Sequence, residues 1–299
     1  MSNILDAVLQ QYASNKIEPK SNSNKMSQDE RLKKYFTTIL QKGDREGQKR
    51  VRILPTTDGT SPFKEVWFHE CQVGGRWMKI YDPGKNEGKR SPLNEVNEAL
   101  MMTGSEQDKV LARQYKSRKF YIVKVIDQDK PEDGVKFWRF KHNYKGDGIL
   151  DKIIPIWKNK GDVTDPTVGR DLILSLSLVK APNGKEYTNV ASIMYDDPTP
   201  ISTDAAQQSE WTDNVMTWED VYAKKGEEYL EAIAQGHEPR WSSDAGKYVY
   251  GDGENTVEIS GGTSTTTKVE TVSGNTVTQT EVKIEDTQVN AKTDEDLPF

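Results

Sequence analysis

The stretch R-Q-Y-K-S-R-K-F-Y-I-V-K-V-I-D-Q-D-K-P-E-D-G-V-K-F-W-R-F-K-H, residues 113–142, decides how the rest of the chain is read. Residues 120–126 are β-formers throughout, and residues 135–142 alternate aromatic and basic side chains, so both read as strands. Residues 127–134 carry turn chemistry: Pro131 presets its φ, and Gly134 admits a left-handed one. Lys116, Arg118 and Lys119 form a cationic knot just ahead. A hairpin that mixes Tyr121, Phe137, Trp138 and Phe140 with Arg139 and Lys141 has the planes and charges that a sequence-tolerant single-stranded nucleic-acid surface needs, and Tyr144 just beyond it is counted among the candidate DNA contacts. The same pattern fits an ordinary hairpin whose rings are core and whose cations are solvated. Alternation leaves the inward face open. The expectation is Arg118, Lys119, Tyr121, Arg139 and Lys141 toward ligand, with at least one of Phe137, Trp138 and Phe140 in the core.

Composition bounds the setting. The 299 residues are 34% hydrophobic and 29% charged, so part of the chain is expected to lack a core. No apolar run approaches a membrane span, and no basic-then-apolar leader opens the sequence. A single cysteine, Cys71, cannot form an internal disulfide and fits a reducing, cytosolic compartment. The net charge of −6 is uneven: residues 1–44 sum to +2, residues 45–180 to +7 and residues 181–299 to −15. A basic, aromatic-rich centre followed by an acidic end points to a polyanion site with an acidic competitor in the same chain.

Outward from the hairpin, residues 3–12 place Ile4, Leu5, Val8, Leu9 and Tyr12 on one helical face, an apolar stripe that needs a partner. Residues 27–30 match a capping box, and Leu32, Tyr35, Phe36, Ile39 and Leu40 continue with helical spacing to a stop at Gly43. Strands follow at 50–55, 66–71 and 76–81, the last two joined by Gly74-Gly75. Residues 82–91 read as a charged turn, 94–102 as a short helix and 147–161 as mixed. Residues 171–179 and 187–194 read as strands across a turn at 182–185. A second capping box at 217–220 opens a helix expected to run to Ala234. From 251 onward, Thr, Ser, Gly and acids favour disorder.

Catalytic signatures are scarce. The three histidines, His69, His142 and His237, join no recognised motif, and neither a phosphate-binding loop nor a nucleophile elbow is present. The chain is therefore read as a non-enzyme. Arg52, Arg76, Lys79, Lys116, Arg118, Lys119, Arg139 and Lys141 are the cations that best suit phosphate, with Trp67, Trp77 and Trp138 as stacking candidates. Tryptophan is also a good core residue, so half of Trp67, Trp77, Trp138 and Trp157 are expected to be buried.

Ordered landmarks then resemble one family, the helix-destabilising single-stranded DNA-binding proteins of T-even-type tailed phages. They are V-R-I-L-P (51–55), P-F (62–63), His69, G-R-W-M (75–78), S-P-L-N (91–94), K-S-R-K (116–119), P-E-D-G-V-K-F-W-R-F (131–140) and D-K-I (151–153). The resemblance covers roughly residues 45–195. It implies a mainly β (α+β) fold: a five-stranded OB-fold barrel with an attached subdomain, flanking helices and a disordered acidic tail. The implied domains are an N-terminal helical arm (1–44), a DNA-binding core (45–200) with the subdomain at about 64–105, an acidic helical segment (201–250) and the tail (251–299). It also implies sequence-tolerant coating of single strands during phage replication, recombination and repair, in the cytoplasm of a bacterial host. The N-terminal arm would serve self-association, and K-S-R-K is similar to the family's internal basic motif, which attracts that arm or DNA.

One departure matters. The family binds zinc through a histidine and three cysteines; the histidine corresponds to His69, but the cysteine positions fall on Asp82, Ser91 and Asn94. Oxygen ligands of this kind suit zinc poorly. No cofactor is expected, and the subdomain should be held by packing and hydrogen bonds. The last six residues, Asp294, Glu295, Asp296, Leu297, Pro298 and Phe299, resemble the partner-recruiting tip of bacterial single-stranded DNA-binding proteins. Phe299 can fill an apolar pocket while the acids meet basic residues. The competing reading is a β-rich phage structural or assembly protein with an acidic solubilising tail.

Overall fold

The structure, a computed structural model, describes residues 28–181, 184–242, 245–251 and 257–259. The expected helix at 3–12, the capping serine Ser27 and the tip at 294–299 lie outside the described residues. In chain order the elements are α1 (Gln28–Lys33), β1 (Tyr35–Phe36), β2 (Glu46–Ile53), β3 (Lys64–Val73), β4 (Arg76–Tyr81), α2 (Pro83–Glu87), α3 (Pro92–Met102), α4 (Glu106–Tyr115), β5 (Ser117–Asp127) and β6 (Val135–Lys141). There follow α5 (Ile149–Lys160), β7 (Leu172–Lys180), β8 (Glu186–Tyr195), α6 (Ala205–Thr212), α7 (Trp218–Val221), α8 (Glu227–Ala234), β9 (Arg240–Ser242), β10 (Lys247–Tyr250) and β11 (Val257–Ile259). The fold is mixed α/β with a large sheet. Two compact units divide it: Met1–Lys64 with Tyr121–Ala223, and Glu65–Phe120 with Lys224–Phe299.

In the first unit the strand order is β1-β6-β5-β2-β7-β8, an open path among the described residues. Alternating positions drive inward, so Val51 and Ile53 of β2, Val123 and Val125 of β5, and Leu172 and Leu174 of β7 make one core with Trp138 and Phe140. The mixed-looking stretch 147–161 is the helix α5, which adds Ile153 and Ile156 at helical spacing. Pro155 lies inside it and costs a backbone hydrogen bond, about 3 kcal/mol. The buried stripe and a cap, in which the Gly148 amide donates to Asp151 Oδ2 at 2.9 Å, offset that cost.

Two helix expectations fail here. The helix that starts at 28 ends at Lys33, and Tyr35–Phe36 pair in parallel with Phe137 and Trp138. Phe36 is only 4% exposed, with its ring 5.6 Å from that of Trp138. Burying such a side chain is worth about 1.5–3 kcal/mol, which outweighs helix propensities of a few tenths per residue. The expected helix 217–234 is also broken. Its capping box forms, with the Thr217 amide donating to Asp220 Oδ2 at 2.6 Å, but α7 stops at Val221 because Tyr222 turns extended and buries its ring edge-on to Tyr35 at 4.8 Å.

The second unit is built on the β3–β4 hairpin, whose Gly74-Gly75 turn has φ of +57° and +75°, as a two-residue hairpin loop requires. Its core gathers Cys71, Val73, Ile80 and Leu93 with Tyr229, Leu230, Ala232 and Ile233 from α8. The unit is therefore discontinuous and larger than the expected 64–105. The stretch 201–250 does not form one acidic helical segment: α6 and α7 belong to the first unit, while α8, β9 and β10 belong to the second. The amphipathic face of α8 draws the chain back to this core, and β10 pairs with β9 and β11 in a small antiparallel sheet.

Candidate nucleic-acid interface

The β5–β6 hairpin of the first unit carries a ladder of rings that runs from core to solvent. Trp138, 1% exposed, lies 4.8 Å from Phe140; Phe140 lies 5.7 Å from Tyr121; Tyr121 lies 5.6 Å from His142; and His142 meets Tyr144 edge-on at 4.3 Å. Phe63 supports Phe140 and Trp157 from the side at 6.2 and 6.1 Å. The Tyr121 hydroxyl and His142 Nδ1 are 3.2 Å apart, which fixes the imidazole. Tyr144 ends the ladder 74% exposed, with Lys141 and Lys145 exposed beside it in sequence. The Lys145 amide donates to Asn143 Oδ1 at 2.7 Å, and Asn143 bonds Asp147, so the loop that presents Tyr144 is held by its own side chains. An exposed ring on a braced loop between two cations can stack a base and meet its phosphates.

Other expected site residues sit in the second unit. Lys119 Nζ lies 5.7 Å from the centre of the half-buried Trp67 ring and 2.9 Å from Glu65, while Arg118 pairs with Glu70 at 3.0 Å. Lys79 stands opposite Glu70 across the hairpin, and Trp77, 49% exposed, opposite Gln72. Lys79 and Trp77 therefore share the face of the β3–β4 sheet that carries Glu70 and Gln72. Arg76 and Lys116 are exposed. Glu65 and Glu70 already accept from the cations, so a phosphate must displace a carboxylate here.

Four of the expected DNA contacts need correcting. Arg52 is fully buried: its Nε donates to Asp171 Oδ1 at 2.7 Å and its Nη2 to the Thr199 carbonyl and hydroxyl at 2.9 and 2.8 Å. It clamps two loops onto β2 and presents nothing to solvent, because those loops cover the outer face of the strand there. Trp138 is core, as are Phe137 and Phe140. Tyr121, 8% exposed, supports the ladder without reaching its surface. Arg139 lies over the Tyr222 ring at 4.4 Å, a cation–π contact that engages its guanidinium within the first unit. His142 and Lys145 were passed over, although H-N-Y-K simply continues the aromatic–basic alternation of 135–142.

His69, Asp82, Ser91 and Asn94, the four positions that the resemblance sets against zinc ligands, lie together in the second unit. His69 is fully buried, with Nδ1 2.7 Å from the Tyr115 carbonyl; that nitrogen carries the proton and donates. Its Nε2 faces the Ser91 hydroxyl at 3.3 Å and Asp82 Oδ1 at 3.5 Å. Asn94 Nδ2 donates to both Asp82 oxygens, at 3.0 and 3.1 Å. Burial alone would raise the Asp82 carboxyl; hydrogen bonds from His69 and Asn94, with the His69 charge, hold it far below the usual carboxylate range instead. One imidazole, one carboxylate, a hydroxyl and an amide do not make a zinc donor set, and their polar atoms are engaged with each other. The described residues contain no group of three or more His, Cys, Asp or Glu placed to hold a metal. Cys71 is buried and its thiol is pushed up to about 12 by desolvation, so it is a packing residue. Among the described residues no helix is long and apolar enough to cross a membrane. Compared with protein-family models and with curated proteins, the chain matches none.

Proposed function

We propose that this chain is a non-enzymatic single-stranded DNA-binding protein that coats strands without sequence preference. The observation that carries the reading is the ring ladder that emerges at Tyr144 between Lys141 and Lys145. A buried scaffold of rings holds one exposed ring in place, so little side-chain freedom is lost when a base stacks on it. The convergence of His69, Asp82, Ser91 and Asn94 also supports the resemblance to the phage helix-destabilising family, and with it a five-stranded OB-fold in the first unit and a role in replication, recombination and repair in a bacterial cytoplasm. On this reading residues 1–25 of the N-terminal arm serve self-association, and the acidic tip, residues 294–299, recruits replication and recombination proteins.

The test is a titration of oligo-dT at several salt concentrations. Neutralising about five phosphates predicts a log–log slope of roughly −3 to −4. Affinity that is unchanged between low and moderate salt refutes the mechanism, and no affinity at all favours a structural or assembly protein. Strand cleavage on adding magnesium would make the chain a nuclease.

A further inference from the structure

The second unit contains a cavity of about 440 Å³ that the proposed coating function leaves unused. That volume falls in the range of small-molecule sites, roughly 300–1,000 Å³. It is lined by the exposed Arg76, His237, Glu238 and Arg240 and by the half-buried Met78 and Tyr248. The site is built from the backbone up. The helix α8 ends in a Schellman motif: the His237 amide donates to the Ala232 carbonyl and the Gly236 amide to the Ile233 carbonyl, each at 2.9 Å, with Gly236 at φ +85°. This reversal fixes where His237 leaves the helix, and its ring then stacks on Tyr250 at 4.4 Å and 20°. Arg240 is oriented by a bond from Nη2 to the Gly251 carbonyl at 2.9 Å. Arg76 begins β4, opposite Val73, one residue beyond the Gly74-Gly75 turn.

We infer that this cavity is a mononucleotide site, taking one phosphate between Arg76 and Arg240 and a base against the flat faces of His237 and Tyr248. Planar guanidinium groups suit a phosphate, each able to give it two parallel hydrogen bonds. Rings at the wall accept any base face. Glu238 decides between anionic ligands. Its carboxylate can accept hydrogen bonds from the N–H edge of a base, guanine above all, which offers two donors side by side. A run of carboxylates such as residues 294–296 would instead meet it with like charge. The cavity thus fits one concentrated anion joined to a planar donor, rather than an acidic peptide.

The probe is deoxyguanosine monophosphate titrated into the full-length protein by calorimetry and ligand-detected NMR. Saturable binding at roughly millimolar affinity or better is expected, weakened about 10-fold or more in Arg76→Ala/Arg240→Ala and unchanged in Tyr144→Ala. Since Arg240 also bonds the Gly251 carbonyl, Arg76→Glu alone serves as the second variant and should lose binding while remaining folded. Absence of saturable binding, or binding indifferent to both variants, overturns the inference. Inorganic phosphate binding as tightly as the nucleotide overturns it in favour of a plain anion site. Tighter, competitive binding of the peptide D-E-D-L-P-F assigns the cavity to an acidic peptide and likewise overturns it. Oligo-dT binding in the same samples keeps the two proposals apart: oligo-dT bound without the nucleotide refutes this site alone, and the nucleotide bound without oligo-dT refutes the coating function alone.

Discussion

Tyr144 and Trp138 stand at the two ends of one ring ladder, and truncating each should produce opposite phenotypes. Tyr144 is 74% exposed and meets the His142 ring edge-on at 4.3 Å. Tyr144→Ala should therefore change stability by no more than about 0.5 kcal/mol, the usual bound for a surface substitution. Its effect on binding should be large: losing one stacked base costs roughly 1–3 kcal/mol, a weakening of about 5- to 150-fold. Tyr144→Phe keeps the ring and should bind within about twofold of the parent. Trp138, 1% exposed and packed on Phe36 and Phe140, is the reverse case: Trp138→Ala should cost about 3–5 kcal/mol of stability. Binding is best read by anisotropy of a labelled oligo-dT, which does not depend on the protein's own tryptophans, and stability by urea unfolding. Tyr187, 54% exposed on β8 in the same unit, supplies the control. If Tyr144→Ala binds like the parent, or Tyr187→Ala loses as much, the ladder is core architecture and the reasoning is wrong.

Three further outcomes follow from the same geometry. Glu65→Gln/Glu70→Gln removes the carboxylates that Lys119 and Arg118 meet at 2.9 and 3.0 Å; exposed pairs are worth about 0.2–1 kcal/mol each, so oligo-dT affinity should rise about 1.5- to 5-fold per pair. A fall in affinity would show that the two cations are structural. Arg52→Met leaves Asp171 buried without its ion pair and should cost about 3–5 kcal/mol in urea unfolding, with the oligo-dT affinity of the folded protein unchanged. Intact stability with weakened DNA binding would put Arg52 back on the binding surface. Asp82→Cys/Ser91→Cys/Asn94→Cys would set three thiolates around His69, and the variant should take up a single zinc ion and give tetrahedral cobalt absorption. A variant that binds neither metal would show that the four positions do not share a usable centre.

The strands β3 to β8 were legible because each carries its own evidence, a run rich in β-branched and aromatic residues with turn-forming residues near its ends; of β2 only the part from Arg50 was legible, since 46–49 are glycine and polar residues. The hairpin at Gly74-Gly75 needs no tertiary information, since two consecutive left-handed residues leave few other turns. The helix α4 escaped because its aliphatic residues, Val110, Leu111 and Ala112, are adjacent rather than at helical spacing, and only Ala112 is buried; its N-cap, where the Asp108 amide meets Ser105 Oγ at 3.5 Å, was the one local sign. In the candidate interface the residue types could be named from sequence, but their exposure could not. Arg52 and Lys141 look equally suited to phosphate; one is clamped under two loops and the other is exposed.

By itself, then, the sequence determined the β-rich centre, the basic-to-acidic polarity of the chain and the ring-and-cation character of 113–142, all of which are properties of neighbours along the backbone. Tertiary structure decided which rings of that stretch are buried, where two of the expected helices end, and that the chain after 224 returns to complete a unit begun at 65. The physical reason is common to all three. Burial and pairing depend on surfaces brought from distant parts of the chain, and the 1.5–3 kcal/mol gained by burying one aromatic ring exceeds the local preferences that a sequence displays. Residues 113–142 encode a strand pair with rings; only the arrival of Phe36, Phe63 and α5 turns most of those rings into core, while Tyr144, two residues past the stretch, stands at the surface.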